Sequence, residues 1–319
     1  MAHTRSIKTR ITTSMTLFPL SIAVGVLLWY KDTDFSANSY LTLAILLFST
    51  LALRVLSNAI QLIRVRSWAV SSIFVIISAL CFHIYDWQPV TALGSLLFLG
   101  YTTGLLASYQ SPRPQVSTFI AAISLALLTM LMPQLLWLAP ICLLSSLTTL
   151  RTFTPRTLFA IAFGLLLSYE AFFCWHICNG TLIASLQYFS QEICNYSIPS
   201  MPCNLSFDTI VQHHVLSSSH MYMLQLFIFG IIGIIHFIRT SFNDKIRTRM
   251  HYITIIMHWP VLFLLITLTH GYEPLLMSMT ALYSSIVLAH YFVFSKGWVA
   301  NTLFLIFIIS CFCLTLPLF

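Results

Sequence analysis

Charge is what this sequence lacks. Of 319 residues only 7% are Asp, Glu, Lys or Arg, while 58% are hydrophobic; an ordinary soluble domain carries about a quarter charged residues. So few charges cannot cover the water-facing surface of a soluble protein this long, and lipid must be the solvent for most of the chain. Strict apolar/polar alternation is also missing, which excludes a membrane β-barrel and leaves helices to satisfy the backbone in hydrocarbon. There is no Walker loop, Rossmann glycine pattern, His-Glu-x-x-His or nucleophile elbow, so a nucleotide-driven pump or a familiar hydrolase has no support. No internal repeat, low-complexity tract or linker divides the chain.

What is present is a series of apolar runs about 20 residues long, separated by short loops. They predict spans near Met15–Tyr30, Tyr40–Ile63, Trp68–Tyr85, Val90–Ser108, Val116–Met132, Leu135–Leu150, Leu158–Cys178, Tyr222–Ile238, Tyr252–Thr269, Pro274–Phe294 and Val299–Leu318. Val116 to Leu150 is one apolar stretch that as a single helix would be roughly 50 Å long, too long for one crossing of a core of about 30 Å. Pro133-Gln134 marks its expected hairpin. The expectation is an all-α polytopic bundle of about eleven spans forming one domain over residues 1–319. One sizeable extracytoplasmic loop runs from about Asn179 to Met221, with room for an interfacial helix such as Leu182–Phe189.

With those spans, 13 of the 15 basic residues fall on one side, leaving Lys31 in an opposite loop and Arg54 inside a span. The positive-inside rule then makes the N-terminus cytoplasmic and, with an odd number of spans, the C-terminus exterior. Arg5, Lys8 and Arg10 ahead of the first apolar run read as an uncleaved signal anchor. The net charge of +7 is spread singly and in small groups between spans, a topology signal with no nucleic-acid footprint.

Ionisable groups inside a membrane are costly and mark functional sites first. Arg54 in the second span and Glu170 in the seventh are the strongest candidates. They can form a buried ion pair or a polar site near the midplane; alternatively Arg54 snorkels to the inner surface and Glu170 bonds to a neighbouring helix. His258 and His290, in the ninth and tenth spans, can relay protons or bond between helices.

Lys31-Asp32-Thr33-Asp34 is an Asp-x-Asp at the outer end of the first span. Its carboxylates could hold a divalent cation or act as a general base. This resembles the position of the catalytic aspartate in membrane glycosyltransferases that use polyprenyl-linked sugar donors, which makes such an enzyme the alternative function. Against it, the outer loop at 179–221 has no Arg or Lys to clamp a lipid pyrophosphate. Cys174, His176, Cys178, Cys194, Cys203, His213, His214 and His220 gather on or near that outer face. Their spacing is wrong for a metal site and no Cys-x-x-Cys pair exists, so no metal and no cofactor is expected. A disulfide involving Cys194 or Cys203 fits an oxidising compartment. Asn179, Asn195 and Asn204 begin Asn-x-Ser/Thr triplets, and Gly100-Tyr-Thr-Thr-Gly104 has the small-residue spacing of helix packing.

Several segments together resemble an uncharacterised family of multi-pass inner-membrane proteins from Bacteroidetes. They are Asn58 followed by Arg66-Ser67, Leu150-Arg-Thr-Phe-Thr-Pro-Arg156, Asp244-Lys-Ile-Arg-Thr-Arg-Met250 and Ser295-Lys-Gly-Trp298. The resemblance implies a bacterial inner membrane and no particular activity. The expected function is non-enzymatic: moving or sequestering a lipid-linked or small substrate, or serving as a membrane subunit in envelope biogenesis. A purely structural partner is a further class. Expected partners are the bilayer, a lipid-linked substrate and other membrane subunits.

Overall fold

The computed structural model describes residues 14, 16–32, 36–64, 67–85, 88–194, 218–269 and 271–315. Among them are twelve α-helices and no strand. In chain order they are α1 (Leu17–Asp32), α2 (Ala37–Ile60), α3 (Ala69–Tyr85), α4 (Pro89–Ala107), α5 (Pro114–Leu131), α6 (Leu138–Thr148), α7 (Pro155–Cys178), α8 (Leu182–Cys194), α9 (Ser218–Thr240), α10 (Ile246–Leu268), α11 (Glu273–Phe294) and α12 (Trp298–Cys313). Seven of these segments are long and apolar enough to cross a membrane, and the chain is a multi-pass membrane protein.

Each expected apolar run coincides with a helix, and local chemistry sets the ends. α7 opens with a reciprocal cap: the Thr157 amide donates to Thr154 Oγ1 (3.3 Å), the Thr154 amide donates to Thr157 Oγ1 (2.8 Å), and Pro155 occupies the first turn, where no N–H is needed. α2 opens on Ser36 and closes on Gln61, whose positive φ of 54° lets its N–H reach back to the Ser57 carbonyl. The apolar stretch from Val116 to Leu150 is broken where expected. α5 stops at Leu131, Met132 is extended, and Pro133–Trp137 forms a 3-10 turn before α6.

The helices group into two compact units, each discontinuous in sequence. Unit 1 takes Met1–Pro89, Ile198–Lys245 and Thr280–Phe319; unit 2 takes Val90–Ser197 and Ile246–Met279. The absence of a linker in the sequence follows, because neither unit is a single stretch of chain.

In unit 1, α1 packs along α3, with Gly25 so close that a Cβ there would lie 2.8 Å from Val75 Cγ1. α9 is tied to α3 by the Tyr222 hydroxyl, which donates to the Ile77 carbonyl (3.0 Å). The Gln225 amide ties α9 to α12 by donating to Ser310 Oγ (2.9 Å). In unit 2, α5 is gripped from two sides. A Cβ on Gly104 of α4 would lie 2.7 Å from the Ala121 amide nitrogen, and one on Gly164 of α7 would lie 3.0 Å from the Phe119 carbonyl oxygen. The Gly100/Gly104 spacing is therefore used to bring α4 against the α5 backbone, where dispersion contacts replace the hydrophobic drive that lipid removes.

Candidate functional site

The candidate site is a groove in unit 2, built on α7. Ala162, Leu165, Leu166, Tyr169, Glu170 and Phe173 recur at helical spacing and form one stripe, about 16 Å long at the usual helical rise. Little covers this helix: only 17% of its most apolar stretch is buried, against all of the corresponding stretch of α11. The groove has a volume of about 740 Å³ and is completed by Leu136 from the 3-10 turn and by Phe189 and Ile193 from α8.

The turn after α7 places α8. Gly180, with φ 69°, takes the left-handed conformation that reverses the chain, and the Thr181 amide returns to the His176 carbonyl (2.9 Å). The His176 ring and the Thr181 hydroxyl close the same turn at 2.7 Å. α8 then docks through Phe189, which meets Phe172 at 5.6 Å and Tyr169 at 6.1 Å between ring centroids. Its far end is pinned by the Gln134 amide, which donates to Glu192 Oε2 (3.0 Å). Tyr188 adds a hydroxyl contact to Tyr272 at 2.7 Å. Partial burial, together with the Tyr188 hydroxyl, raises the Tyr272 phenol above its ordinary pKa, so this contact is one between neutral hydroxyls.

The groove is therefore apolar along its length and polar at the end under α8. Glu170 is exposed there, and among the described residues nothing donates a hydrogen bond to its carboxyl. Tyr169 beside it is already engaged, its hydroxyl 2.6 Å from Thr129 Oγ1. Among the described residues Glu170 is thus the one ionisable carboxyl lining the groove, and it has no hydrogen-bond donor. No family model, curated protein or solved structure matches the chain. The functional reading rests on this chemistry.

The other residues singled out from sequence have separate places. Arg54, in unit 1, lays its guanidinium carbon 3.1 Å from the Trp68 ring centroid and 5.7 Å from that of Phe18. Arg54 sits six residues before the end of α2, about 9 Å, and its side chain reaches Trp68, the residue that precedes α3. His258, in unit 2, bonds between helices: its Nδ1–H donates to the Thr254 carbonyl (2.7 Å), leaving Nε2 to accept from the Tyr101 hydroxyl (2.8 Å). His290, in unit 1, has a carboxylate partner, Asp244 Oδ2 at 3.2 Å. Arg64 stands 3.9 Å from the same carboxylate, donates to the Asn243 carbonyl (2.9 Å) and lies over the Phe294 ring at 4.9 Å.

The Asp244–His290 pair and Tyr101 were not singled out from the sequence. One signal for Asp244 was there: it is the sole acidic residue among the loops expected on the basic side. Tyr101 carried none, because an aromatic in an apolar helix is ordinary. Among the described residues no three His, Cys, Asp or Glu side chains lie close enough to hold a metal ion. The carboxylates of Asp32 and Asp34, and the sulfurs of Cys194 and Cys203, lie outside the described residues, as do Asn195, Asn204, His213 and His214.

Proposed function

We propose that this is a lipid-handling protein of a bacterial inner membrane, which holds a single-chain amphiphile in the α7 groove. The head, a hydroxyl or amine, donates to Glu170, and the tail lies along Leu166, Leu165 and Ala162. The observation that carries this reading is the unsatisfied Glu170 carboxyl at one end of an otherwise apolar groove. An ionisable side chain on an apolar span ordinarily faces a cavity or a partner that uses it. Among the described residues the groove lining holds no second acid, and the reading is binding or transfer of an intact molecule without bond cleavage.

The accompanying topology is eleven crossings with a cytoplasmic N-terminus. Beyond the seven long helices, the four shorter apolar segments Leu17–Tyr30, Ala69–Tyr85, Pro133–Thr148 and Trp298–Cys313 complete the count. Contacts favour this arrangement. In unit 1 Arg64, Asn243, Asp244 and Phe294, from three segments assigned to the inner side, meet one another. In unit 2 Gln134 meets Glu192 and Tyr188 meets Tyr272, all assigned to the outer side. Glu170 then lies about 12 Å inside the outer end of α7, in the outer half of the membrane, and the amphiphile's head sits at that depth.

The test is direct binding to the full chain in lipid nanodiscs, titrated with a long-chain primary alcohol that carries an environment-sensitive fluorophore at its far end. The wild type should give a saturable signal. Glu170→Leu should weaken it about tenfold, the loss expected for one hydrogen bond. Equal affinity in the wild type and Glu170→Leu would remove Glu170 from the site and the proposal with it.

A further inference from the structure

Unit 1 contains a second cavity of different chemistry. It is a slot of about 430 Å³ between α1, α3 and α12, with Leu17, Val24 and Leu28 on one wall, Ile76 on the second and Phe304 and Ile308 on the third. Its few hydroxyls are spent on their own helices. Ser21 Oγ donates to the Phe18 carbonyl (2.8 Å), Ser72 Oγ to the Trp68 carbonyl (2.9 Å) and Thr315 Oγ1 to the Phe312 carbonyl (2.7 Å). Among the described residues the slot lining offers no charged group to recognise a head.

The slot cannot close by collapse of its walls. Behind it, α9 holds α3 through the Tyr222 hydroxyl on the Ile77 carbonyl (3.0 Å) and holds α12 through Gln225 on Ser310 (2.9 Å). Phe229 and Phe292 wedge against Phe307 at 5.2 and 5.4 Å. The slot opens to the surface, where Val24 and Ile308 on its walls are exposed, and apolar walls of this kind do not hold water. The remaining medium at that depth is hydrocarbon. From Leu17 to Leu28, and again from Phe304 to Thr315, the walls run about 16 Å along the helix axes, close to the thickness of one leaflet of a 30 Å core.

We propose that this slot is a binding site for one acyl chain of a bilayer phospholipid, held as a structural lipid. A phospholipid is favoured over a free fatty acid because, among the described residues, the slot offers no donor for a carboxylate. The site is independent of the α7 groove.

Its test uses the full chain in phosphatidylcholine nanodiscs containing a small fraction of phosphatidylcholine with a diazirine in one chain, photolysed and mapped by mass spectrometry. Labelling should concentrate on the slot-facing residues of α1, α3 and α12. The slot-filling double variant Val24→Trp/Ile308→Trp should lower that labelling about tenfold, a 1.4 kcal/mol change in occupancy, while labelling of α7 stays as it was. Ile76→Trp fills the same space from the α3 wall and takes the double variant's place if that protein does not insert. A diazirine fatty acid added to the chain in detergent should label the slot no more than it labels α7. Undiminished slot labelling in the filled variants, or wild-type slot labelling no greater than that of α7, would overturn the proposal, the slot then being covered by protein. Preferential labelling by the fatty acid would overturn it in favour of a free acid.

Discussion

His258 and His290 are both buried imidazoles on apolar helices, yet their partners differ in kind. His258 lies twelve residues into α10, about 18 Å along its axis, and all its assigned partners are neutral: the Tyr101 hydroxyl and the Thr254 carbonyl. A further neutral bond, Thr149 Oγ1 to Thr254 Oγ1 at 2.8 Å, ties the end of α6 to the same turn of α10. His290 lies four residues from the end of α11, about 6 Å, and meets a carboxylate that is itself watched over by a half-exposed arginine. Depth explains the contrast. Far from water a histidine is held by groups that need no ionisation, whereas near the loops a charge can be kept because Arg64, its side chain 47% exposed, connects the pair to solvent.

If that contrast is real, the two clusters should differ in what they cost to break. The largest loss is expected from Asp244→Ala, which leaves buried His290 without its carboxylate partner: about 2–3 kcal/mol, read as a shift in the detergent-to-SDS unfolding midpoint followed by circular dichroism. Replacing both partners, Asp244→Leu with His290→Leu, should recover much of that loss, because no buried polar group is then left alone. A double variant as unstable as the single one would mean that the pair does more than satisfy itself. Tyr101→Phe, which removes only a neutral donor from His258, should cost less, about 1–2 kcal/mol. If it costs as much as Asp244→Ala, the distinction by depth fails. Thr149→Val should cost about 0.6 kcal/mol, the average for a bond between membrane helices. Arg64→Ala should be the mildest, at most about 0.5 kcal/mol after solvent screening, and its effect should shrink in high salt while that of Tyr101→Phe does not.

The helices were the most legible part of the molecule. Hydropathy alone located every apolar run, because in lipid a run of that length has no other way to satisfy its backbone. Ends were less exact where polar residues continue a helix: α10 starts at Ile246, six residues before its apolar run, because Arg247, Thr248 and Arg249 are helical without being apolar. The two units were not legible, since each is assembled from separate stretches and no linker marks them. Of the candidate site, Glu170 was visible as a carboxyl in an apolar span. The groove was not, because helical spacing from Ala162 to Phe173 looks the same whether a stripe is packed or bare. Arg54 was visible for the same reason as Glu170, but its partners, Trp68 and Phe18, are aromatics whose approach depends on how α1, α2 and α3 pack.

The interleaving of the units also orders their assembly in time. Unit 2 is drawn from Val90–Ser197 and Ile246–Met279, so all of it exists before α12 has been made. Unit 1 must wait for α12, the third wall of its slot. At ribosomal speed the interval between Met279 and Cys313 is about 2–7 s. For those seconds the slot lacks its α12 wall, and the slot-lining faces of α1 and α3 stand uncovered on that side.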